Sequence, residues 1–205
     1  MGENMWTRLL LSLGLALFVS WAGAAWAWEA GADVGLVPMA YLNAVLEEAA
    51  VRTGGTAVPL RISFGGQAQV WPWPFLGLGV RSFSCAGSLV GRDERTLAAF
   101  ALGIFGVLRF GLPLLGWPLY GRLEVGGLGG YASGLVEGWG LGWHASFGAS
   151  LAFLRFWNLA LGMEAGYRWA VIPALRTARE EIAPERGAAL DFSGLFLGVV
   201  FRWEG

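Results

Sequence analysis

Residues 139–153 read WGLGWHASFGASLAF, and residues 158–171 read NLALGMEAGYRWAV. In the first stretch Trp139, Leu141, Trp143, Ala145, Phe147, Ala149, Leu151 and Phe153 fill one parity. Gly140, Gly142, His144, Ser146, Gly148 and Ser150 fill the other. The second stretch repeats the pattern, with Leu159, Leu161, Met163, Ala165, Tyr167, Trp169 and Val171 alternating against Gly162, Glu164, Gly166 and Arg168. A strand sends successive side chains to opposite faces, so each stretch has one large apolar face and one small or polar face. The small polar face cannot form the dry core of a sandwich. The pattern suits a transmembrane barrel whose outside faces lipid and whose inside is wet or ion-paired.

Composition points the same way. The chain has 205 residues, 56% of them hydrophobic and only 14% charged, with a mean hydropathy of +0.54. That length suggests one domain. The net charge of −1 offers no basic surface for nucleic acid, and all 14 basic residues are Arg. One cysteine, Cys85, rules out an internal disulfide framework. One Cys with one His, His144, is a poor start for a metal site, and no cofactor is expected. At the N-terminus Arg8 precedes the apolar run Leu9–Val19, and Ala25-Trp26-Ala27 matches an A-x-A cleavage site. Residues 1–27 therefore read as a secretory signal peptide and 28–205 as the barrel.

Eight strands can be followed along the mature chain. They begin at Trp28, Val58, Leu76, Thr96, Leu119, Gly138, Asn158 and about Asp191. In the second, Leu60, Ile62 and Phe64 are expected to face outward and Arg61, Ser63, Gln67 and Gln69 inward. Ser82 to Val90 is small or apolar on both parities, and residues 126–136 are glycine-rich, so neither segment's faces can be assigned. The Gly126-Gly127 and Gly129-Gly130 pairs point to a bulge or kink. Leu42, Val45, Leu46 and Ala49 lie at helical spacing, so a short amphipathic helix is expected in the first loop. The loops at 43–55, 91–95 and 177–188 are charged, whereas the intervening turns are compact and rich in Trp and Pro. That is the outer-membrane arrangement of long external loops and short periplasmic turns. Trp71, Trp73, Phe75, Trp117, Tyr120, Phe156, Trp157, Phe201 and Trp203 would gather at the turn-side rim as an interfacial girdle. The competing reading is a helical inner-membrane protein, with Leu97–Leu115 as a span. Frequent glycine argues against it, because each costs a helix interior about 1 kcal/mol relative to Ala.

The inward parity collects Glu29, Asp33, Arg61, Arg81, Arg109, Arg122, Glu124, His144, Glu164, Arg168 and Arg202. Charges inside a narrow barrel must be paired or hydrated, and the planar fork of Arg suits such a network. Glu29 and Arg202 are expected to meet where the last strand closes on the first. The turn at 113–118 sets Arg109 opposite Arg122, with Glu124 placed to offset both. Eight strands leave room only for side chains or a small ligand, which argues against a broad porin channel.

On this architecture, and over the whole mature chain, the sequence resembles the small eight-stranded outer-membrane barrels of the outer membrane protein A, X and W type. The resemblance implies an all-β, antiparallel up-and-down barrel in the outer membrane of a two-membrane bacterium, embedded in the lipid bilayer. It also implies insertion by the barrel-assembly machinery, which reads a terminal aromatic residue. Here Phe201-Arg202-Trp203 is followed by Glu204-Gly205, two residues later than that pattern. The expected role is structural or anchoring, or that of a narrow conduit for small solutes, including hydrophobic ones. His144-Ala145-Ser146 is also similar to the His-x-Ser pair of the lipid A deacylases, outer-membrane lipid hydrolases that add a Glu. The available acid, Glu164, falls about four to six residues from Ser146 along the hairpin, roughly 13–20 Å at strand rise. The chain is therefore read as a non-enzyme.

Overall fold

The computed structural model describes residues 27–91, 94–114, 117–177, 181–184 and 187–204. Residues 1–26 of the expected leader, 1–27, lie outside the described residues, and Ala27, its expected last residue, is the first residue of strand β1 (Ala27–Leu36). Seven more long strands follow: β3 (Ile62–Trp71), β4 (Leu76–Val90), β5 (Arg95–Leu114), β6 (Trp117–Gly134), β7 (Gly138–Phe156), β8 (Leu159–Ile172) and β12 (Gly194–Glu204). Each pairs antiparallel with the next, and β12 returns to pair with β1 from Ala27↔Glu204 to Gly35↔Phe196. The sheet closes on itself, leaving none of these eight strands with a free edge. The short strands β2 (Thr56–Val58), β9 (Leu175–Arg176), β10 (Glu181–Ile182) and β11 (Leu190–Asp191) decorate the loop end. Among the described residues no helix is long and apolar enough to cross a membrane, and residues 97–114 lie in β5, which removes the helical alternative.

Alternation holds along the wall. Leu141, Ile104, Phe64, Leu195 and Phe147 point outward and are exposed, while even-numbered residues of β6, β8, β12 and β7 up to Ala152 point inward. A barrel bearing exposed large apolar side chains on every wall strand is built for lipid. The unassigned half of β4 is regular: Phe83, Cys85 and Leu89 point inward and Ser84, Ala86 and Ser88 outward. Its faces were illegible because the inward side is apolar there too. The expected bulge at the glycine pairs is absent, since the β5–β6 and β6–β7 registers run through them unbroken. Gly126 is needed for closeness, as a Cβ there would run into the Ile104 carbonyl. The register shift lies instead in β7, between Ala152 and Leu154.

The helix expected in the first loop is α1 (Ala40–Thr53). Leu42, Leu46 and Ala50, one turn apart, are its buried stripe. They lie over an apolar cluster that includes Leu60, Phe83, Leu89, Leu97, Leu128, Ile172, Leu175 and Phe192, so the helix closes the loop end of the barrel.

Arg61 and Leu60 are where the structure departs most from the expected alternation. Between Val58↔Ser88 and Ser63↔Cys85 the ladder on β4 lapses, and residues 59–61 form no strand. Pro59 cannot donate to a ladder, which favours the break. Leu60 turns inward and is fully buried; Arg61 is exposed and is not a lumen residue. The freed backbone is satisfied from α1. Asn43 accepts from the Leu60 N–H at 2.7 Å and donates its amide to the Leu60 carbonyl at 3.0 Å, and the Val37 N–H donates to the Arg61 carbonyl at 2.9 Å. One side-chain amide thereby replaces two ladder partners.

The turn-side aromatics divide. Trp73, Phe75, Phe156, Trp157, Phe201 and Trp203 are exposed on the rim, with Trp157 and Phe156 stacked at 4.7 Å. Trp71 is buried instead, and Tyr120 reaches inward beside Arg109, because both sit on the inward parity; the side chain of Trp117 lies outside the described residues.

Replacing Asn43 with Ala leaves the Leu60 N–H and C=O unsatisfied and is expected to cost about 1–3 kcal/mol. Denaturant titration of the detergent-solubilised barrel checks this, and an unchanged midpoint would show that the amide clamp contributes nothing.

Candidate functional site

Inward parity brings side chains from β1, β3, β4, β5, β6, β7 and β8 into the turn-side half of the lumen. Among the described residues four buried carboxylates, Glu29, Asp33, Glu124 and Glu164, face four buried guanidiniums, Arg81, Arg109, Arg122 and Arg168. The numbers balance, as they must where each uncompensated charge would cost several kcal/mol.

Arg122 is the hub. Its Nη1 lies 2.7 Å from Glu29 and 2.7 Å from Glu164. Its Nη2 lies 2.6 Å from Glu124 and 3.0 Å from the Gln69 amide oxygen. The fork of one guanidinium so reaches three carboxylates, which an ammonium could not do in a plane. Arg81 backs this up, 3.3 Å from Glu124 and 3.6 Å from Glu164. Arg109 donates to Glu29 at 2.8 Å and lies over the Trp71 ring at 3.9 Å. Arg109 and Arg122 do stand opposite each other in register, but Glu29 offsets Arg109, leaving Glu124 to Arg122 and Arg81.

Two glutamines complete the lattice. Gln67 donates to Glu164 at 2.9 Å while its oxygen accepts from Arg81, and Gln69 donates to Glu29. Both were legible as inward polar residues. Their role was not, because an amide's value here is to bridge an acid and a base that sit on different strands.

Asp33 and Arg168 form a second node nearer the loops. The Arg168 guanidinium contacts the Asp33 carboxylate at 2.5 Å, donates to Ser63 and to the Phe192 carbonyl at 3.1 Å, and lies 4.6 Å from the Phe83 ring centroid. Glycines make room for it. A Cβ on Gly65 would strike the Asp33 carboxylate, and one on Gly35 would strike the Arg168 guanidinium. Arg202 is half-buried at the turn-side mouth, opposite Glu29 in register and 5.9 Å from the Trp71 ring. Beside it a cavity of about 20 Å³, lined by Glu29, Arg109, Tyr120 and Ser150 among others, has room for about one water.

His144 sits where charge gives way to apolar packing. Its Nε2 is 3.7 Å from Glu124, and its ring lies 5.7 Å from Phe83 and 6.1 Å from Phe105. Ser146 donates to Glu124 at 2.9 Å. Glu164 pairs in register with Ser150, four residues from Ser146, so the acid beside the His-x-Ser pair is Glu124. The hydroxyl is bonded to that carboxylate and not to the imidazole, which is not the nucleophile–base contact that acyl transfer needs. Among the described residues no cluster of His, Cys, Asp and Glu could hold a metal ion.

These features define a class: a transmembrane, eight-stranded antiparallel β-barrel whose lumen is occupied by its own side chains. Among solved structures the chain is similar to Neisserial surface protein A (NspA), with a TM-score of 0.52 and 12% identity over 88% of this chain and 97% of that one. It also matches the N-terminal β-barrel domain of Pseudomonas aeruginosa OprF, with a TM-score of 0.40 and 14% identity over 86% of this chain and 97% of that domain. The likeness to NspA is one of fold, that of the eight-stranded outer-membrane barrels. No protein-family model matches the chain, and no curated protein does.

Replacing Arg122 with Met leaves four buried carboxylates against three buried guanidiniums and is expected to destabilise the barrel by about 3–5 kcal/mol. Arg52 to Met, which breaks only the exposed pair with Glu48, is expected to fall within about 0.5 kcal/mol. Urea midpoints of the two variants check the contrast.

Proposed function

We propose that this chain is a closed, non-enzymatic barrel of the outer membrane of a two-membrane bacterium, serving as an anchor that presents its loop face. The observation that carries this reading is the filled lumen. Its turn-side half holds the Arg–Glu–Gln lattice, and its loop-side half is packed with buried Phe83, Leu97, Leu128, Ile172 and Phe192 beneath α1. A conduit for polar solutes would have to break ion pairs that are 2.6–2.8 Å long and then cross an apolar plug. A conduit for small hydrophobic solutes would have to cross the lattice.

The location is supported by the signal-like leader, the closed barrel and the likeness to NspA. Insertion by the barrel-assembly machinery is supported by Phe201 and Trp203, which face outward on the last strand. Lipid hydrolysis is disfavoured because His144 and Ser146 are buried inside the wall, away from the lipid-facing surface, and Glu124 is already engaged by Arg81 and Arg122.

Single-channel recording in planar bilayers tests the reading. The purified barrel is expected to give no steady conductance. Regular single-channel steps from the unmodified protein would replace the anchor by the conduit.

A further inference from the structure

The break at residues 59–61 has an outer side. Arg61, Phe64, Ser84, Ala86, Ala98 and Phe100 are among the residues that line a groove of about 490 Å³ there. Its shape comes from the sequence of one cross-strand row. Phe64 pairs with Ser84, and Ser84 with Phe100, so a small residue stands between two exposed aromatic rings. One step nearer the loops, Ala86 pairs with Ala98 and is equally small. The Ser84 hydroxyl is turned back to the Phe64 carbonyl at 3.4 Å, which makes the floor compatible with an apolar occupant. The walls, Ile62, Phe64 and Phe100, are exposed hydrophobics on the lipid-facing side.

Arg61 stands at the loop end of this trough, immediately before the first lipid-facing residue of β3. It is exposed, and among the described residues its guanidinium has no carboxylate partner. A lone cation at the boundary between lipid-facing wall and loops is positioned for headgroup depth, where a long side chain can reach the interface. An apolar trough running from that cation complements a molecule with an anionic head and an apolar tail.

Building on the membrane-barrel reading above, we infer that this groove is a binding site for a phosphate-bearing anionic lipid of the loop-side leaflet. An acyl chain lies between Phe64 and Phe100 over Ser84, Ala86 and Ala98, and the phosphate meets Arg61, a planar donor suited to it.

Native mass spectrometry of the detergent-purified barrel, offered phosphatidylglycerol or phosphatidylcholine with the same chains, tests this. Phosphatidylglycerol is expected to be retained in preference to phosphatidylcholine. Arg61→Gln is expected to weaken that retention about fivefold, the scale of one basic residue at an anionic membrane surface. Ala98→Phe, which fills the trough from outside the barrel core, is expected to weaken it as well. Arg95→Gln removes an exposed cation outside the groove and is expected to leave retention unchanged. Equal retention of the two lipids, full retention by Ala98→Phe, or an equal loss with Arg95→Gln would each overturn the site. Heat-shifted gel mobility of each variant reads barrel folding separately, so a failure of the barrel reading is distinguishable from a failure of the lipid site.

Discussion

The compensation of buried charge inside a wall that faces lipid is the constraint on which the rest of this structure depends. The outside of an eight-stranded barrel in a membrane must be apolar, so hydrophobic burial in the ordinary sense cannot organise the fold alone. The interior of so narrow a barrel is too small for a water-filled channel. Here it is divided. Near the turns Arg122 binds Glu29, Glu124 and Glu164, and near the loops an apolar plug sits beneath α1. Phe83, Phe105 and Phe196 lie at the junction, where Arg81 and Arg168 stack against their rings at 4.6–5.7 Å. Cation–π contact lets the charged layer end against an apolar one without a gap.

The two halves explain the local sequence choices. Glycine on the inward parity, at Gly35 and Gly65, is required where a guanidinium or carboxylate crosses the lumen. Glutamine at 67 and 69 supplies both a donor and an acceptor, and so links acids and bases that the register does not set side by side. Arg was suited throughout, since its several fixed donors allow one residue to serve three strands.

Strand number, closure and the lipid-facing side were legible in the sequence because period-two alternation is a local signal. It reports a face wherever the two faces differ in chemistry, as in β7 and β8. It failed at residues 82–90, where Phe83 and Cys85 face an apolar plug and both faces look alike. It misled at Leu60 and Arg61, because extending the alternation across Pro59 ignored the missing donor. Trp71 and Tyr120 were misplaced at the rim because turn proximity was given more weight than parity, which sets both inward. The membership of the lumen was mostly readable; the pairing within it was not. Which Arg meets which Glu depends on how residues far apart in sequence meet across the barrel, and Glu29 reaches Arg122 across 93 positions.

A double-mutant cycle on the hub tests the central claim most directly. If charge compensation holds the lumen, the loss of stability caused by Arg122→Met is largely recovered when Glu164 is also changed to Gln, since Glu29 then keeps Arg109, Glu124 keeps Arg81 and Asp33 keeps Arg168, and no buried charge is left unpaired. Additive losses, with the combined variant less stable than Arg122→Met alone, would contradict that account and show that shape, not charge balance, fills this barrel.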